Sequence, residues 1–387
     1  MAQYDFDRVP ERRWTDSRKW EKYGDAVIPL WVADMDFPSP EPVLKALHER
    51  VGHGVFGYAY PRKELFQAIQ ERFHRLYRWE VEPEEIFFVP TLLSGLNLIF
   101  QIFSRPGDGI LIQPPVYHRF IKDALMHDRV IVDPPLVPKG DTYEIDFEAF
   151  ERAITKRTKI FLLCNPHNPV GRVFTAEELT RLAEICLRHR LVICSDEIHC
   201  ELLYPGHRHI ALATLGPEVA RQTITLNGPG KTFNLPGLHL GFAVISNAQW
   251  REIWKKASYG LIPSVNSLAQ AAAIAAYREG QEWLDQLLVY LEGNRDFLAR
   301  TLKDRIPGIQ MTRMEATYLA WLDCRGAGIP GDPFEFFLKK AQVAMMNGPE
   351  FGRGGEGFLR LNFACSRSTL AQALDRMAMA ITENNIG

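Results

Sequence analysis

Lys231 lies in Asn227-Gly228-Pro229-Gly230-Lys231-Thr232-Phe233-Asn234-Leu235-Pro236-Gly237, a lysine flanked by glycines and followed by a short apolar turn. Upstream, the apolar run Leu191-Val192-Ile193-Cys194 ends in Ser195-Asp196-Glu197-Ile198-His199. Earlier still, Ile160-Phe161-Leu162-Leu163 leads into Asn165-Pro166-His167-Asn168-Pro169-Val170-Gly171. Asn168, Asp196 and Lys231 thus each stand just past a predicted strand. An amide, a carboxylate and an amine in that order are the polar groups needed around pyridoxal 5'-phosphate (PLP). A lysine amine forms the Schiff base with its aldehyde, and a carboxylate keeps the pyridine nitrogen protonated so that the ring accepts carbanion electrons.

Each residue also has a plainer use. A lone loop lysine is usually a surface lysine. A Schiff base, however, requires a neutral amine, hence desolvation or nearby positive charge, and the flanking glycines let the backbone approach a ring. Asp196 after a strand also suits a helix N-cap, with the cofactor role favoured. His199 is either a core histidine or, if the chain still runs past the ring there, a partner of the cofactor's phenolic oxygen. Asn168 can reach that same oxygen, although Asn-Pro alone is a turn signal. Tyr117, in Pro114-Pro115-Val116-Tyr117, can stack on the ring; taken alone it equally suits a packing tyrosine at a strand exit. For the phosphate, the turn Pro90-Thr91-Leu92-Leu93-Ser94-Gly95 opens a helix whose free N–H groups and positive dipole end suit an anion.

Two other patterns resemble sites and are set aside. Gly352-Arg353-Gly354-Gly355-Glu356-Gly357 has neither the strand-loop-helix setting nor the spacing of a phosphate loop and reads as a mobile turn. His199, His207 and His209 lack an acidic or thiol partner at ligand spacing, so no metal is expected.

The elements that must position these groups follow from hydrophobic periodicity. Short apolar runs predict strands at Ile86–Val89, Ile110–Gln113, Lys159–Cys164, Leu191–Ser195, Thr223–Leu226 and Gly241–Ile245. Amphipathic segments lie between them, including Ala176–His189 behind a Thr175/Glu178 capping box. Such alternation predicts an α/β fold, a mostly parallel sheet with helices on both faces. Ligands of such sheets bind at the carboxyl ends of the strands. After about residue 246 come long helices, at Ala248–Ser258, Ser264–Glu279 and Glu282–Leu302. A smaller α+β portion follows, with strands Tyr318–Leu322 and Phe358–Phe363 and a last helix near Ser368–Glu383.

The 387 residues exceed what one hydrophobic core usually covers. The division expected is a large domain over 48–280 and a small one from 1–47 with 281–387. A net charge of −2 gives no sign of a nucleic-acid or acidic-membrane partner. Met1 to Trp14 is too charged for a signal peptide, and no apolar run reaches spanning length. The 6 cysteines show no Cys-x-x-Cys spacing. Buried reduced thiols in a cytoplasmic enzyme are therefore expected.

The chain resembles the fold-type I PLP enzymes of the aminotransferase class I/II superfamily. Within them it is similar to the C–S lyase branch, the MalY/PatB-type cystathionine β-lyases and cystalysin. The likeness runs nearly end to end, through Leu30-Trp31-Val32-Ala33-Asp34-Met35-Asp36-Phe37, His53-Gly54-Val55-Phe56-Gly57-Tyr58, Asp196-Glu197-Ile198-His199, Lys231-Thr232-Phe233-Asn234 and Phe358-Leu359-Arg360-Leu361-Asn362. Asp-Glu-Ile-His is its most branch-specific element, since many aminotransferases place tyrosine where His199 stands.

The resemblance implies an aspartate aminotransferase-type large domain with a mostly parallel seven-stranded sheet, plus a smaller α+β domain. It implies that Arg360 grips a substrate α-carboxylate and that the Leu92 and Leu93 amides hold the phosphate. It further implies that Tyr58 reaches the neighbouring subunit's site, hence a homodimer with shared active sites. This chain departs from the pattern at Gly228 and Gly230, where serines are common, at His239, where an arginine binds phosphate, and at Val170, in place of threonine. The reaction implied is α,β-elimination from an L-amino acid bearing sulfur on its β-carbon. The rivals are an aminotransferase, which uses the same core residues, and a PLP-holding regulatory or interaction protein.

Overall fold

The computed structural model describes residues 3–386. Seven strands form the main sheet: β1 (Ile86–Val89), β2 (Gly109–Leu111), β3 (Val130–Val132), β4 (Thr158–Cys164), β5 (Val192–Asp196), β6 (Thr223–Asn227) and β7 (Gly241–Ile245). Their order is β1-β7-β6-β5-β4-β2-β3. Only β7 runs antiparallel to its neighbours, pairing β1 on one side and β6 on the other. β3 is the strand that periodicity did not single out. It is three residues long at a sheet edge and half open to solvent, and its apolar run, Val130-Ile131-Val132, stops at Asp133.

The alternation of side chains along β4 shows why the sheet is covered twice. Ile160, Leu162 and Cys164 pack into one core with Leu96, Ile99 and Phe100 of helix α3 (Leu92–Phe103). Phe161 and Leu163 point the other way, into a core with Leu179, Leu182 and Ile185 of α5 (Ala176–Arg188). A strand buried on both faces reads as a continuous apolar run, which is what made it visible. The α5 capping box is present as expected: Thr175 Oγ1 accepts from the Glu178 amide, and the Glu178 carboxylate accepts from the Thr175 amide.

Helix α1 (Glu41–Gly52) packs on α7 (Ser267–Glu279), and α2 (Lys63–Tyr77) packs beside it. The point between 47 and 48 lies inside α1. α4 (His118–Met126) follows β2, and α6 (Ala248–Ser258) follows β7. The long α8 (Gln281–Arg305) then leads to a second, four-stranded antiparallel sheet. Its strands are β8 (Gln310–Met311), β9 (Leu319–Asp323), β10 (Met346–Asn347) and β11 (Phe358–Asn362), in the order β8-β9-β11-β10. α9 (Arg367–Ile386) ends the described chain. Among the described residues no helix is long and apolar enough to cross a membrane.

Candidate active site

The parallel register brings the functional side chains to one edge. Cys164, Asp196 and Leu226 stand level across β4, β5 and β6, so the carboxyl ends of three adjacent strands coincide. Asp196 is the last residue of β5, Asn168 follows β4, and Lys231 follows β6. The exits of β1 and β2 lead to Leu92–Leu93 and Tyr117 at the same edge, and Arg360 reaches in from β11. Together Lys231, Asp196, Asn168, His199, Tyr117, Leu92, Leu93 and Arg360 line a cavity of about 830 Å³. Tyr58 does not. It sits fully exposed on the loop between α1 and α2.

The electrostatics of this cavity suit amine chemistry. Lys231 Nζ donates to the Ala33 carbonyl at 2.5 Å. Burial lowers its pKa to about 8, Arg360 acting the same way and Asp34 and Asp196 opposing. A substantial neutral fraction at ordinary pH is the state a nucleophilic or basic lysine requires.

Asp196 is buried and does not cap a helix. Its Oδ1 accepts from the Ile198 amide at 3.2 Å within a turn. Burial pushes its carboxyl up to about 7, with Glu197 adding to the rise and the Ile198 amide and Lys231 opposing it. His199 is driven well below its usual range by burial, then by Lys231 and Arg360, so it is a neutral imidazole.

Arg360 is buried yet forms no ion pair among the described residues. Its Nη1 donates to Asn168 Oδ1 at 3.1 Å and its Nη2 to the Trp31 carbonyl at 2.9 Å. Burial lowers its pKa to about 10, Tyr117, Tyr318 and Glu350 opposing. Holding a charge out of water costs several kcal/mol unless an anion arrives.

These residues fit PLP on features of the structure alone. Among the described residues the His199 Nδ1 is buried without a hydrogen-bond partner and the buried carboxyl of Asp196 has no cation at hydrogen-bond distance, while Leu92 and Leu93 occupy the first two positions of α3. Amides there precede the helical ladder and are free for an anion. The N-cap Thr91 is already committed, accepting from the Ser94 amide at 3.1 Å.

Comparison with known proteins agrees. Residues 25–377 match the family described as aminotransferase class I and II. The chain belongs to the aminotransferase class I and II family. Within it, the chain is 38% identical to cystathionine β-lyase PatB of Bacillus subtilis over 388 residues, covering 97% of this chain and 100% of the relative. It is 32% identical to protein MalY of Escherichia coli, covering 98% and 99%. The crystal structure of cystalysin from Treponema denticola, which contains a pyridoxal 5'-phosphate cofactor, superposes with a TM-score of 0.95 at 31% identity. It covers 99% of this chain and 100% of cystalysin.

The departures from the family pattern divide on physical grounds. A Cβ on Gly228 would lie 3.0 Å from both Gly241 Cα and the Leu240 carbonyl, whereas one on Gly230 would meet only Pro236, at 3.7 Å or more. Gly228 therefore serves close backbone packing and Gly230 does not. His239 is exposed, in left-handed conformation at the end of a short 3-10 turn, and is not among the residues lining the cavity. Val170 is buried in the core over α5 and is not among the residues lining the cavity.

The two patterns set aside from the sequence also have structural accounts. The Gly352–Gly357 stretch is held in a compact loop by the Gly355 and Phe358 amides, and Gly348 and Gly355 approach too closely for any side chain. His209 does have an acidic partner, contrary to the spacing argument. Its Nε2 meets Glu197 Oε2 at 2.9 Å, while Glu197 Oε1 accepts from Ser195 and from the Leu212 amide. Glu197 thus braces the strand end on which Asp196 sits.

The 30–37 segment, which the sequence offered only as part of the family likeness and without a role, closes the site. Trp31, Val32 and Ala33 line the cavity, and their carbonyls take Arg360, Asn362 and Lys231 respectively. Tyr318, fully buried, adds a second donor to the Ala33 carbonyl at 3.1 Å. Backbone carbonyls carry no residue-type signal. The buried Asp36–Lys19 ion pair at 2.9 Å, which anchors this segment, joins residues no motif connects.

Proposed function

We propose that this chain is a PLP-dependent carbon–sulfur β-lyase acting on L-amino acids with a β-thioether, cystathionine and cysteine S-conjugates being the substrate class. In the net reaction the Cβ–S bond breaks and the α-proton is lost. The sulfur leaves as a thiol, and the three-carbon remainder takes up one water to give pyruvate and ammonia. The observation that carries this reading is a partly neutral lysine amine sharing its cavity with a buried guanidinium that has no carboxylate partner among the described residues. Those are a base for the α-carbon and a holder for the α-carboxylate of one amino acid. Elimination is favoured over transamination by full-length similarity to cystathionine β-lyases.

PLP, when bound, supplies an electron sink for the negative charge that develops at the α-carbon. The residues divide the remaining work. Lys231 anchors the cofactor and, once its amine is free, takes the α-proton. Asp196 would face the ring nitrogen and keep it protonated, and Asn168 and His199 would turn to the phenolic oxygen. Tyr117 would stack on the ring, and the Leu92 and Leu93 amides would receive the phosphate. Arg360 would hold the substrate carboxylate by its fork.

A homodimer belongs to the same proposal. Val55, Phe56, Tyr58 and Tyr60 form an exposed apolar stretch, as do Tyr259 and Leu261, and such patches mark interaction surfaces. Tyr58 of the partner subunit would complete each site. A large domain over 48–280 with a small one from 1–47 and 281–387, and a cytoplasmic setting for the buried, unpaired cysteines, complete the reading.

The test is a product balance with cystathionine. Equal amounts of thiol, pyruvate and ammonia, with no added keto acid, are expected. Turnover that needs a keto-acid acceptor and leaves the thioether intact would make the protein an aminotransferase.

A further inference from the structure

The charge around the cavity is lopsided. Beyond Lys231, Arg360 and Asp196, its lining includes Arg18, Lys22, Arg119 and Lys122 against one further carboxylate, Glu350. Two of these cations are committed: Arg119 Nε donates to Asp123 at 2.6 Å, and Lys122 Nζ to Glu350 at 2.5 Å.

Arg18 and Lys22 are not. They flank the one-turn helix Arg18–Glu21 as its first residue and its C-cap, and among the described residues neither pairs with a carboxylate. Both rest instead on the indole of Trp31. The Arg18 Cζ lies 5.7 Å and the Lys22 Nζ 4.2 Å from the ring centroid. A cation over an aromatic face at the mouth of a cavity is held weakly enough to turn to an anion.

Trp31 ties this pair to the reacting groups. It is buried, its indole N–H donates to the Lys19 carbonyl at 3.0 Å, and its own carbonyl accepts from Arg360 at 2.9 Å. Two residues on, Ala33 takes the Lys231 amine. Two residues of chain span at most about 7 Å, a distance that a short thioether arm can bridge.

His118 lines the same cavity with its Nδ1 buried and unpartnered. Burial, with Arg360, Lys122, Arg119 and Arg18 around it, lowers its pKa to about 3. It therefore offers hydrogen bonding without adding charge.

We propose that Arg18 and Lys22, seated on Trp31, form a distal anion subsite that selects β-thioether amino acids whose sulfur-borne arm ends in a carboxylate. This rests on the lyase reading and narrows its substrate class. The arm concerned is the one that leaves as the thiol. A neutral arm would leave both cations unpaired, and an arm ending in ammonium alone would be repelled, whereas the cystathionine arm carries a carboxylate beside its ammonium, so the subsite discriminates by both attraction and rejection.

The experiment compares S-(2-carboxyethyl)-L-cysteine with S-(2-carbamoylethyl)-L-cysteine on the PLP-loaded enzyme. The two have the same scissile bond and nearly the same size, and differ by one charge. At low ionic strength kcat/KM should favour the acid by about threefold to tenfold, the scale of a partly exposed ion pair or two. The difference should lie in KM. In the double variant Arg18→Gln/Lys22→Gln the ratio should fall below about twofold. In the unmodified enzyme added salt should erode it, a readout that needs no variant.

A ratio near one in the unmodified enzyme, or a preference that survives both the double variant and salt, overturns the subsite. If both conjugates turn over only with a keto-acid acceptor, the lyase reading fails. The acid-to-amide ratio of that transamination still decides the subsite.

Discussion

The side-chain amide of Asn234 grips the backbone of Met35 from both sides. Its Oδ1 accepts from the Met35 amide at 3.0 Å, and its Nδ2 donates to the Met35 carbonyl at 3.1 Å. A further bond runs from Nδ2 to the Phe37 carbonyl at 2.9 Å. Asn234 lies in the same turn as Lys231, and Met35 follows the Ala33 carbonyl that holds the lysine amine. One asparagine thus fastens the lysine loop to the segment that closes the site.

Asn234→Ala should therefore act through Lys231. Leaving these backbone groups unsatisfied costs about 1–3 kcal/mol, visible as a lower Tm, and the loosened amine should lower kcat more than KM. Asn234→Gly is the informative control. Asn234 has a left-handed backbone, with φ of 56°, which glycine adopts without strain. If Asn234→Gly matched the native enzyme, backbone conformation rather than the amide clamp would be what matters.

The pKa of Asp196 gives a prediction whose sign changes with the cofactor. Its carboxyl is raised to about 7 by burial first and Glu197 second, from an ordinary value of about 3.9. Between about pH 4 and 7 the folded protein holds a proton that the unfolded chain has lost, so stability falls as pH rises through that window and is level beyond it. Asparagine is neutral throughout. In cofactor-free protein, Asp196→Asn should thus gain Tm relative to the native chain as pH rises from 5 to 8. With PLP bound, a protonated ring nitrogen would supply the missing cation, and the gain should shrink or reverse. Thermal unfolding with and without PLP at both pH values checks this, and a difference indifferent to pH would refute it.

The parts of this protein legible in its sequence are those encoded by residue type along one element. β1, β7 and α6 begin and end where periodicity put them, because strong apolar patterns leave little choice. α7 starts at Ser267 and not Ser264, since Asn266 caps it by accepting from the Ala269 amide at 2.8 Å. That Lys231, Asp196 and Asn168 would meet at one edge was readable because each is a polar side chain just past a predicted strand, and all three line one cavity. What Trp31, Ala33, Tyr318 and Glu197 do was not, although three of them stand in motifs that carry the family likeness. Their contributions are carbonyls, long-range packing and a brace between elements, all of which depend on the chain being folded.

The glycines around Lys231 should respond unequally to serine. Gly230 lines the cavity, and a Cβ there meets nothing closer than 3.7 Å. A hydroxyl at that position could offer the phosphate one more hydrogen bond, worth about 1 kcal/mol or roughly fivefold in PLP affinity. Gly228→Ser would instead press a Cβ to 3.0 Å from the backbone of β7 and should lower Tm without tightening PLP. Fluorescence titration of cofactor-stripped variants measures both. Equal gains at the two positions would contradict the packing argument.

Subunit mixing tests whether Tyr58 acts across a dimer. Lys231→Ala should lose turnover and the yellow absorbance of bound cofactor, because no other amine shares that position. Tyr58→Ala should be impaired although its side chain is fully exposed and outside its own chain's cavity. In a mixed dimer, the subunit that keeps Lys231 would receive Tyr58 from the Lys231→Ala partner, restoring one of its two sites. Random exchange of equal amounts in a closed two-fold assembly makes about half the dimers mixed, so about a quarter of all sites should recover. The other site of each mixed dimer lacks both groups and stays silent, so recovery cannot rise above that fraction. No recovery, with mixed dimers verified by mass, would mean that Tyr58 serves the chain that carries it or serves no site.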